Sequence, residues 1–311
     1  TAPVVYTVTA SDYMTTKDWT VTVTVNATAS DEAEILTFEI ADMDSVNINL
    51  TDTTITVYMP YGTDVTSLAP TYTISSGATI NSPSGTVQNF TTPLIYTVTA
   101  QNLTNVMEWE VTVNVVEATE VTIHDIQYTE ASPANSPYAG QLVKTKGVVT
   151  AAKTGTTTSF YLQDGDGEWD AIYVYGSTTA VEVGDSIQIV AQVSEQYYVT
   201  QLSSIVNLTI INSDNTLPEP LMISTLDANS EKYESVLVQV IAAEAISGSA
   251  GNYVVNDGTG ALTVYETLYA DFVLTIGKFY DIIGVMTWYN SGSKFEILPR
   301  NADDIYEDQV P

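Results

Sequence analysis

The stretch VVYTVTASDYMTTKDWTVTVTV, from Val4 to Val25, returns ninety residues later as LIYTVTAQNLTNVMEWEVTVNV, from Leu94 to Val115. Both copies carry YTVTA, a Trp at the same offset and then VTV, with no gap between them. Repetition at such a period points to one small domain used more than once. Alternation of apolar and polar residues points to strands with one buried face. In the second copy Trp109, Val111, Val113 and Val115 recur with period two, so that face is expected in a core. The second copy closes a long strand-rich segment, whereas the first has almost nothing in front of it. The first therefore reads as the last two strands of a domain, and an isolated two-stranded hairpin is marginal in water. Three explanations stand open. The chain is a piece of a longer tandem array, or the hairpin packs on the following repeat as a cap, or strands of another subunit complete it and build a fibre. In the last case Tyr6, Val8, Trp19, Val21 and Val23 form the subunit contact.

Between the copies, ILTFEI (35–40), TTITVYMP (53–60), TYTI (71–74) and TVQNF (86–90) read as strands, separated by the turn sequences PYGTD, SSGA and NSPSG. The composition agrees: 20 Tyr stand against 6 Phe and 4 Trp, and β-branched and aromatic residues suit pleated, half-buried surfaces. The expected fold class is all-β.

From residue 119 a second period takes over. YESVLVQVIAAEAI (233–246) echoes YAGQLVKTKGVVTA, and YVVNDGTGALTVY (253–265) echoes FYLQDGDGEWDAIYVY. IGKFYDIIGVMTW (276–288) echoes VGDSIQIVAQVSE, at a constant offset of 93 residues. Within the first copy QLVKTKGVVTAA (141–152), SFYLQDGDG (159–167), DAIYVYG (170–176), 183–202 and 203–211 read as five or six strands. Two copies of one small barrel are expected, joined near 215–232.

The motifs PYGTDV, SSGATI, SPSGT and YTVTA, in that order over about residues 33–117, resemble the immunoglobulin-like repeats of bacteroidete-type cell-surface proteins. That resemblance implies a β-sandwich serving as a stalk or spacer. LVKTKGVVT, FYLQDGDG and VGDSIQIVAQV, with their second copies, resemble tandem OB-fold domains, such as those accompanying secreted bacterial nucleases. That second resemblance implies five-stranded barrels whose strand faces and loops bind oligonucleotides or oligosaccharides. The resulting division is 1–30, the terminal hairpin of an incomplete repeat; 31–118, a complete immunoglobulin-like sandwich; 119–217 and 218–311, two OB-like barrels.

Charge sorts the partners. With 8 Lys and Arg against 38 Asp and Glu, the net charge is −30. Phosphate binding needs cations to displace counterions, so nucleic acid is disfavoured. Lys144, Lys146 and Lys153 make only a small basic cluster, and the alternation of the first two suits a solvent face. Carbohydrate fits better, with Trp169, Tyr173, Tyr175, Tyr197 and Tyr198 as candidate stacking residues; the plain alternative is that these rings fill the barrel or cross-strand pairs. Asp164, Asp166, Glu168 and Asp170 alternate through DGDGEWD and suggest a calcium site of oxygen donors. The run lacks the Gly and Glu of the EF-hand loop, its second copy keeps only Asp257, and a solvated turn is the alternative.

No catalytic machinery is expected. The chain has no Cys and one His. His124 lies beside Asp125 at the start of the first barrel, and no nucleophile elbow, zinc-protease motif or phosphate loop occurs. Asn-x-Thr sequons at Asn26, Asn49, Asn89, Asn102 and Asn207 and the Asp-Ser/Thr-apolar triplets at 44–46, 52–54 and 185–187 are weak modification signals. No apolar run is long enough to span a membrane. The sequence is expected to be an exported or cell-surface protein after removal of a signal peptide. It would act as a structural or adhesive stalk or filament subunit, with itself or neighbouring repeats as partners. The alternative is a carbohydrate-binding, or less favourably nucleic-acid-binding, accessory region of a larger secreted enzyme.

Overall fold

The computed structural model describes residues 2–24, 28–130, 135–153, 158–270 and 272–308; Val25 and the sequon Asn26 lie outside them. Nearly all of the regular structure is strand, in two compact units, Thr1–Val116 and Glu117–Pro311.

In the first unit β1 (Val4–Thr9) and β2 (Thr16–Val21) form an antiparallel hairpin. Asp12 holds its turn by accepting hydrogen bonds from the Met14 and Thr15 backbone N–H groups. Register places Val4 opposite Val21, Tyr6 opposite Trp19 and Val8 opposite Lys17. One face is thus apolar and the other Thr-rich, as the alternation requires.

The sandwich follows. A two-stranded sheet pairs β3 (Ile35–Glu39) with β6 (Thr71–Ile74). A second sheet contains β4 (Ser45–Asn49), β5 (Thr54–Met59), β7 (Thr79–Ile80), β8 (Leu94–Thr99) and β9 (Val106–Val115), in the order β4-β5-β9-β8-β7. Their shared core holds Phe38, Ile55, Val57, Tyr96, Val98, Trp109 and Val111. Trp109 donates its indole N–H to the Ala33 carbonyl at 3.2 Å, which satisfies a polar group in full burial. One strand expectation needs correction, and one strand was not expected. TVQNF makes one bridge, Leu68 to Gln88, rather than a strand, and SVNIN at 45–49 is a strand that its Asn content concealed.

The second unit holds two closed barrels. The first contains β10 (Thr119–Glu120), a short helix α1 (Ile123–Gln127), β11 (Leu142–Lys153), β12 (Thr158–Gln163), β13 (Ala171–Ser177), β14 (Ser186–Gln196) and β15 (Val199–Asn212). The order β11-β12-β13-β15-β14 closes by pairing β14 back onto β11. The second repeats it with β16 (Leu221–Met222), β17 (Leu237–Ser249), β18 (Asn252–Asn256), β19 (Leu262–Tyr265), β20 (Phe279–Tyr289), β21 (Lys294–Leu298) and β22 (Ile305–Glu307). There β17-β18-β19-β21-β20 closes through β17 and β20.

Two features of the 93-residue repeat acquire physical reasons. Gly184 and Gly277 sit at φ +93° and +84°, a conformation that favours glycine, in the turn that leads into β14 and β20. Each donates its N–H to the bulged first strand, to the carbonyls of Val149 and Ala245. The Asp of the DG turn is a latch. Asp164 accepts the Ile123 N–H at 2.8 Å, and Asp257 accepts the Thr225 N–H at 3.0 Å, so each turn pins the segment leading into its own barrel.

One strand boundary also shifts. Residues 183–202 are not one strand, because the chain reverses at Tyr197 and Tyr198 between Gln196 and Val199, which pair across the turn.

Candidate aromatic cleft

The outer faces of equivalent strands line one cleft in the second unit. In the first barrel Tyr161 on β12 is paired with Tyr173 on β13, and Tyr173 with Gln201 on β15. In the second, Thr263 on β19 is paired with Glu296 on β21, and Glu296 with Thr287 on β20. Of these rows Tyr161, Tyr173, Gln201, Glu296 and Thr287 line a cavity of about 1050 Å³, completed by Tyr175 and the β14–β15 turn on one side and by Tyr265, Trp288 and Tyr289 on the other. A smaller cavity of about 420 Å³ shares Tyr175 and continues along β13 and β15.

The floor is fixed by direct contacts between the barrels. Tyr161 packs in an apolar cluster with Ala151, Leu237, Val285 and Leu298. Gln163 accepts the Leu237 N–H at 3.0 Å, and Trp169 donates its backbone N–H to the Lys232 carbonyl at 2.8 Å. Arg300 clamps Asp304 through two side-chain bonds and reaches the Thr150 carbonyl at 3.1 Å. Glu234 accepts the Thr200 N–H at 3.0 Å beside the turn. Its other carboxylate oxygen is buried and meets no hydrogen-bond partner among the described residues. Burial, with the nearby Glu231 and Glu195, pushes this carboxyl well above its ordinary range, despite the bond from Thr200.

The walls combine rings with uncharged polar groups. Burial raises the Tyr161 and Tyr173 phenols, so both remain neutral hydrogen-bonding groups at physiological pH. Their rings lie 5.1 Å apart. Burial also raises Glu296, which Lys294 partly offsets from 3.3 Å. The rim is strained. Tyr197 and Tyr198 occupy the two central positions of a two-residue hairpin turn at φ +55° and +69°. Turns of this kind strongly prefer Asn and Gly, and left-handed backbone costs an L-residue about 1–2 kcal/mol. Both rings stand in solvent, at 68% and 67% exposure.

Of the candidate stacking residues, Tyr173, Tyr175 and Tyr197 line the cleft. Tyr198 is the other residue of the turn and is not part of the lining. Trp169 lies elsewhere, edge-on to Tyr128 in the β12–β13 loop. Trp288 and Tyr289 were not anticipated, although they stand 93 residues after Glu195 and Gln196, beside the rim Tyr.

The four acids proposed for calcium do not converge. Asp164 holds Ile123, Asp170 accepts the Gly167 N–H and meets His124 Nδ1 at 3.0 Å, and Glu168 pairs with Lys232 at 2.7 Å. Among the described residues no group of three or more His, Cys, Asp or Glu is gathered as a metal ion would need. Alternation along the chain disperses Asp164, Glu168 and Asp170 into separate backbone bonds and ion pairs. His124 also stacks on Tyr128, its ring 5.7 Å away. Lys144 pairs with Glu120 at 3.2 Å and lines a small cavity of about 250 Å³ with Lys146, away from the aromatic cleft.

The hairpin residues Tyr6, Val8, Trp19, Val21 and Val23 are all exposed. Lys17 lies over the Trp19 ring at 4.9 Å.

A family model described as SGBP, N-terminal, the N-terminal domain of Bacteroidetes surface glycan-binding proteins, matches residues 35–113, the sandwich. No curated protein matches the chain in sequence. Three solved structures are similar in part. A Bacteroides fragilis protein described provisionally as secreted is 18% identical, covering 28% of this chain and 98% of its own, with a TM-score of 0.24. A Bacteroides thetaiotaomicron protein described provisionally as a glycoside hydrolase is 18% identical over 62% of this chain and 82% of its own, with a TM-score of 0.26. A DUF4623 family protein of Bacteroides eggerthii is 10% identical over 89% of this chain and 82% of its own, with a TM-score of 0.25. At such TM-scores none of the three bears on what this chain does. No helix among the described residues is long and apolar enough to cross a membrane.

Proposed function

We propose that this chain is a non-catalytic, surface-exposed glycan-binding protein whose ligand lies in the aromatic cleft between the two barrels. The observation that carries the reading is the convergence of Tyr161, Tyr173, Tyr175, Tyr265, Trp288 and Tyr289 on one cavity. Rings of this kind offer flat apolar faces to the C–H faces of sugars, while nearby amides and hydroxyls meet sugar hydroxyls. OB-like barrels use this strand face and the loop between their fourth and fifth strands for ligands, and here both barrels turn that surface toward the same space. The sandwich, matched to the N-terminal domain of surface glycan-binding proteins, acts as a spacer in this reading. The cell surface or the extracellular medium is the corresponding location.

Affinity electrophoresis of the full chain through gels containing polysaccharides tests the reading. Retardation should appear with at least one glycan and be lost in Tyr197→Ala, an exposed position. Retardation unchanged by cleft substitutions would place the site elsewhere.

A second reading concerns the hairpin. Its apolar face, Tyr6, Val8, Trp19 and Val21, is exposed and has the register of a buried pair of strands in the sandwich. This favours a joining role, with strands of a neighbouring repeat or subunit covering it. Light scattering of the full chain with and without Trp19→Asp would reveal such self-association.

A further inference from the structure

The charge lining the cleft, together with where the cations of the second unit are held, bears on the class of glycan. Among the described residues that line the cavity, the only ionisable side chain other than Tyr is Glu296, an acid, and none is Lys or Arg. Lys294, the cation beside it, is held by Glu296 at 3.3 Å and by the Thr263 hydroxyl at 2.7 Å. Arg300 is clamped by Asp304, Lys232 by Glu168 and Lys278 by Glu307. Lys144 and Lys146 belong to the separate small cavity, and Lys153, at the end of β11, lines neither cavity. Recognition of a carboxylate or sulfate on a sugar relies on cationic, charge-assisted hydrogen bonds, and the cleft lining supplies none. The chain around it carries a net charge of −30, so its field opposes an anionic polymer during approach.

The lining suits the opposite chemistry. Gln196, Gln201, Asn290 and Ser291 present amides and a hydroxyl that both donate and accept. Neutral sugar hydroxyls have the same dual character. The volume of about 1050 Å³ sits at the upper end of ligand sites, roughly 300–1,000 Å³, which fits an oligosaccharide segment rather than one sugar.

We infer that the cleft selects neutral glycan chains and rejects uronate- and sulfate-bearing ones. The inference rests on the glycan-binding reading above and adds the class of ligand. Its mechanism is exclusion: an acidic sugar meets no cation on the lining, and the nearest one, Lys294, is already engaged by Glu296, the Thr263 hydroxyl and the Tyr289 ring at 5.9 Å.

The test uses the full chain with two sets of probes at 50 and 500 mM NaCl. Xyloglucan, galactomannan and glycogen are the neutral set, and polygalacturonate and chondroitin sulfate the acidic set. At least one neutral polysaccharide should bind, with affinity changed less than about twofold by salt, since no ion pair is screened. Tyr175→Ala, at an exposed position, should weaken that binding about tenfold, the loss typical of a central aromatic contact. Acidic polymers should bind at least tenfold more weakly at 50 mM NaCl. An acidic polymer that binds as tightly as the neutral ones, and is lost in Tyr175→Ala, overturns the inference while leaving the glycan-binding reading intact. Failure of every polysaccharide, neutral and acidic, overturns both.

Discussion

The two copies of one hairpin differ in what surrounds them. Tyr6 faces Trp19 and Tyr96 faces Trp109 in the same register. Yet Tyr6 and Trp19 are 57% and 56% exposed, while Tyr96 and Trp109 are 2% and 0% exposed. In the sandwich β9 pairs in parallel with β5 and β8 pairs with β7, while β3 and β6 cover the apolar face. Among the described residues the sheet of the first copy consists of β1 and β2. Turn and alternation therefore encode the pairing locally, whereas burial comes from strands far away in sequence. An aromatic pair by itself reveals neither core nor binding site; its surroundings decide. The same holds in the barrels, where Tyr161 is buried in the seam at the floor of the cleft while Tyr175, on the next strand, stands exposed in it.

The largest expected contrast is between the two Trp residues. Trp109→Ala should destabilise the sandwich by about 3–5 kcal/mol, as truncation of a buried aromatic does. The check is urea unfolding followed by circular dichroism. Next comes the strained rim: Tyr197→Asn with Tyr198→Gly should stabilise the second unit by about 1–2 kcal/mol through relief of left-handed strain. The same pair should weaken glycan binding. Stabilisation without loss of binding would remove function as the reason those rings are kept.

A smaller effect should come from Glu234→Gln. The folded-state pKa of Glu234 is raised, so its contribution is fully present below the unfolded value near 4.5 and declines as pH rises toward the folded value. The wild-type chain should lose stability over that rise, and Glu234→Gln should flatten the slope, as read from melting temperatures between pH 4 and 8. The smallest effect belongs to Trp19→Ala, which should change stability by no more than about 0.5 kcal/mol. A loss comparable to that of Trp109→Ala would mean that the hairpin face is covered in solution.

Much of the fold could be read from the residues. Period-two alternation marked Leu94–Thr99 and Val106–Val115, and the 93-residue offset marked two equivalent barrels whose glycines and latch aspartates recur for steric and hydrogen-bonding reasons. Other features were hidden. Ser45–Asn49 is rich in residues that usually signal turns, and TVQNF resembles a strand yet pairs at one point, between Pro83 and Pro93. The aromatic cleft was half legible. Tyr173, Tyr175 and Tyr197 stand out as alternating or turn aromatics, but Tyr265, Trp288 and Tyr289 join them only because the two barrels present equivalent faces to each other. The acid run DGDGEWD makes a related point. Proximity along the chain does not aim carboxylates at one point: Asp164, Glu168 and Asp170 each meet a different partner.

The most direct measurement is a calorimetric titration of a neutral oligosaccharide into the full chain and three variants: Tyr175→Ala, Tyr289→Ala and Trp19→Ala. If the ligand lies between the barrels, Tyr175→Ala and Tyr289→Ala each weaken binding about tenfold and Trp19→Ala leaves it unchanged. Binding lost in Trp19→Ala, with both cleft variants unaffected, would contradict the account and place the glycan on the hairpin.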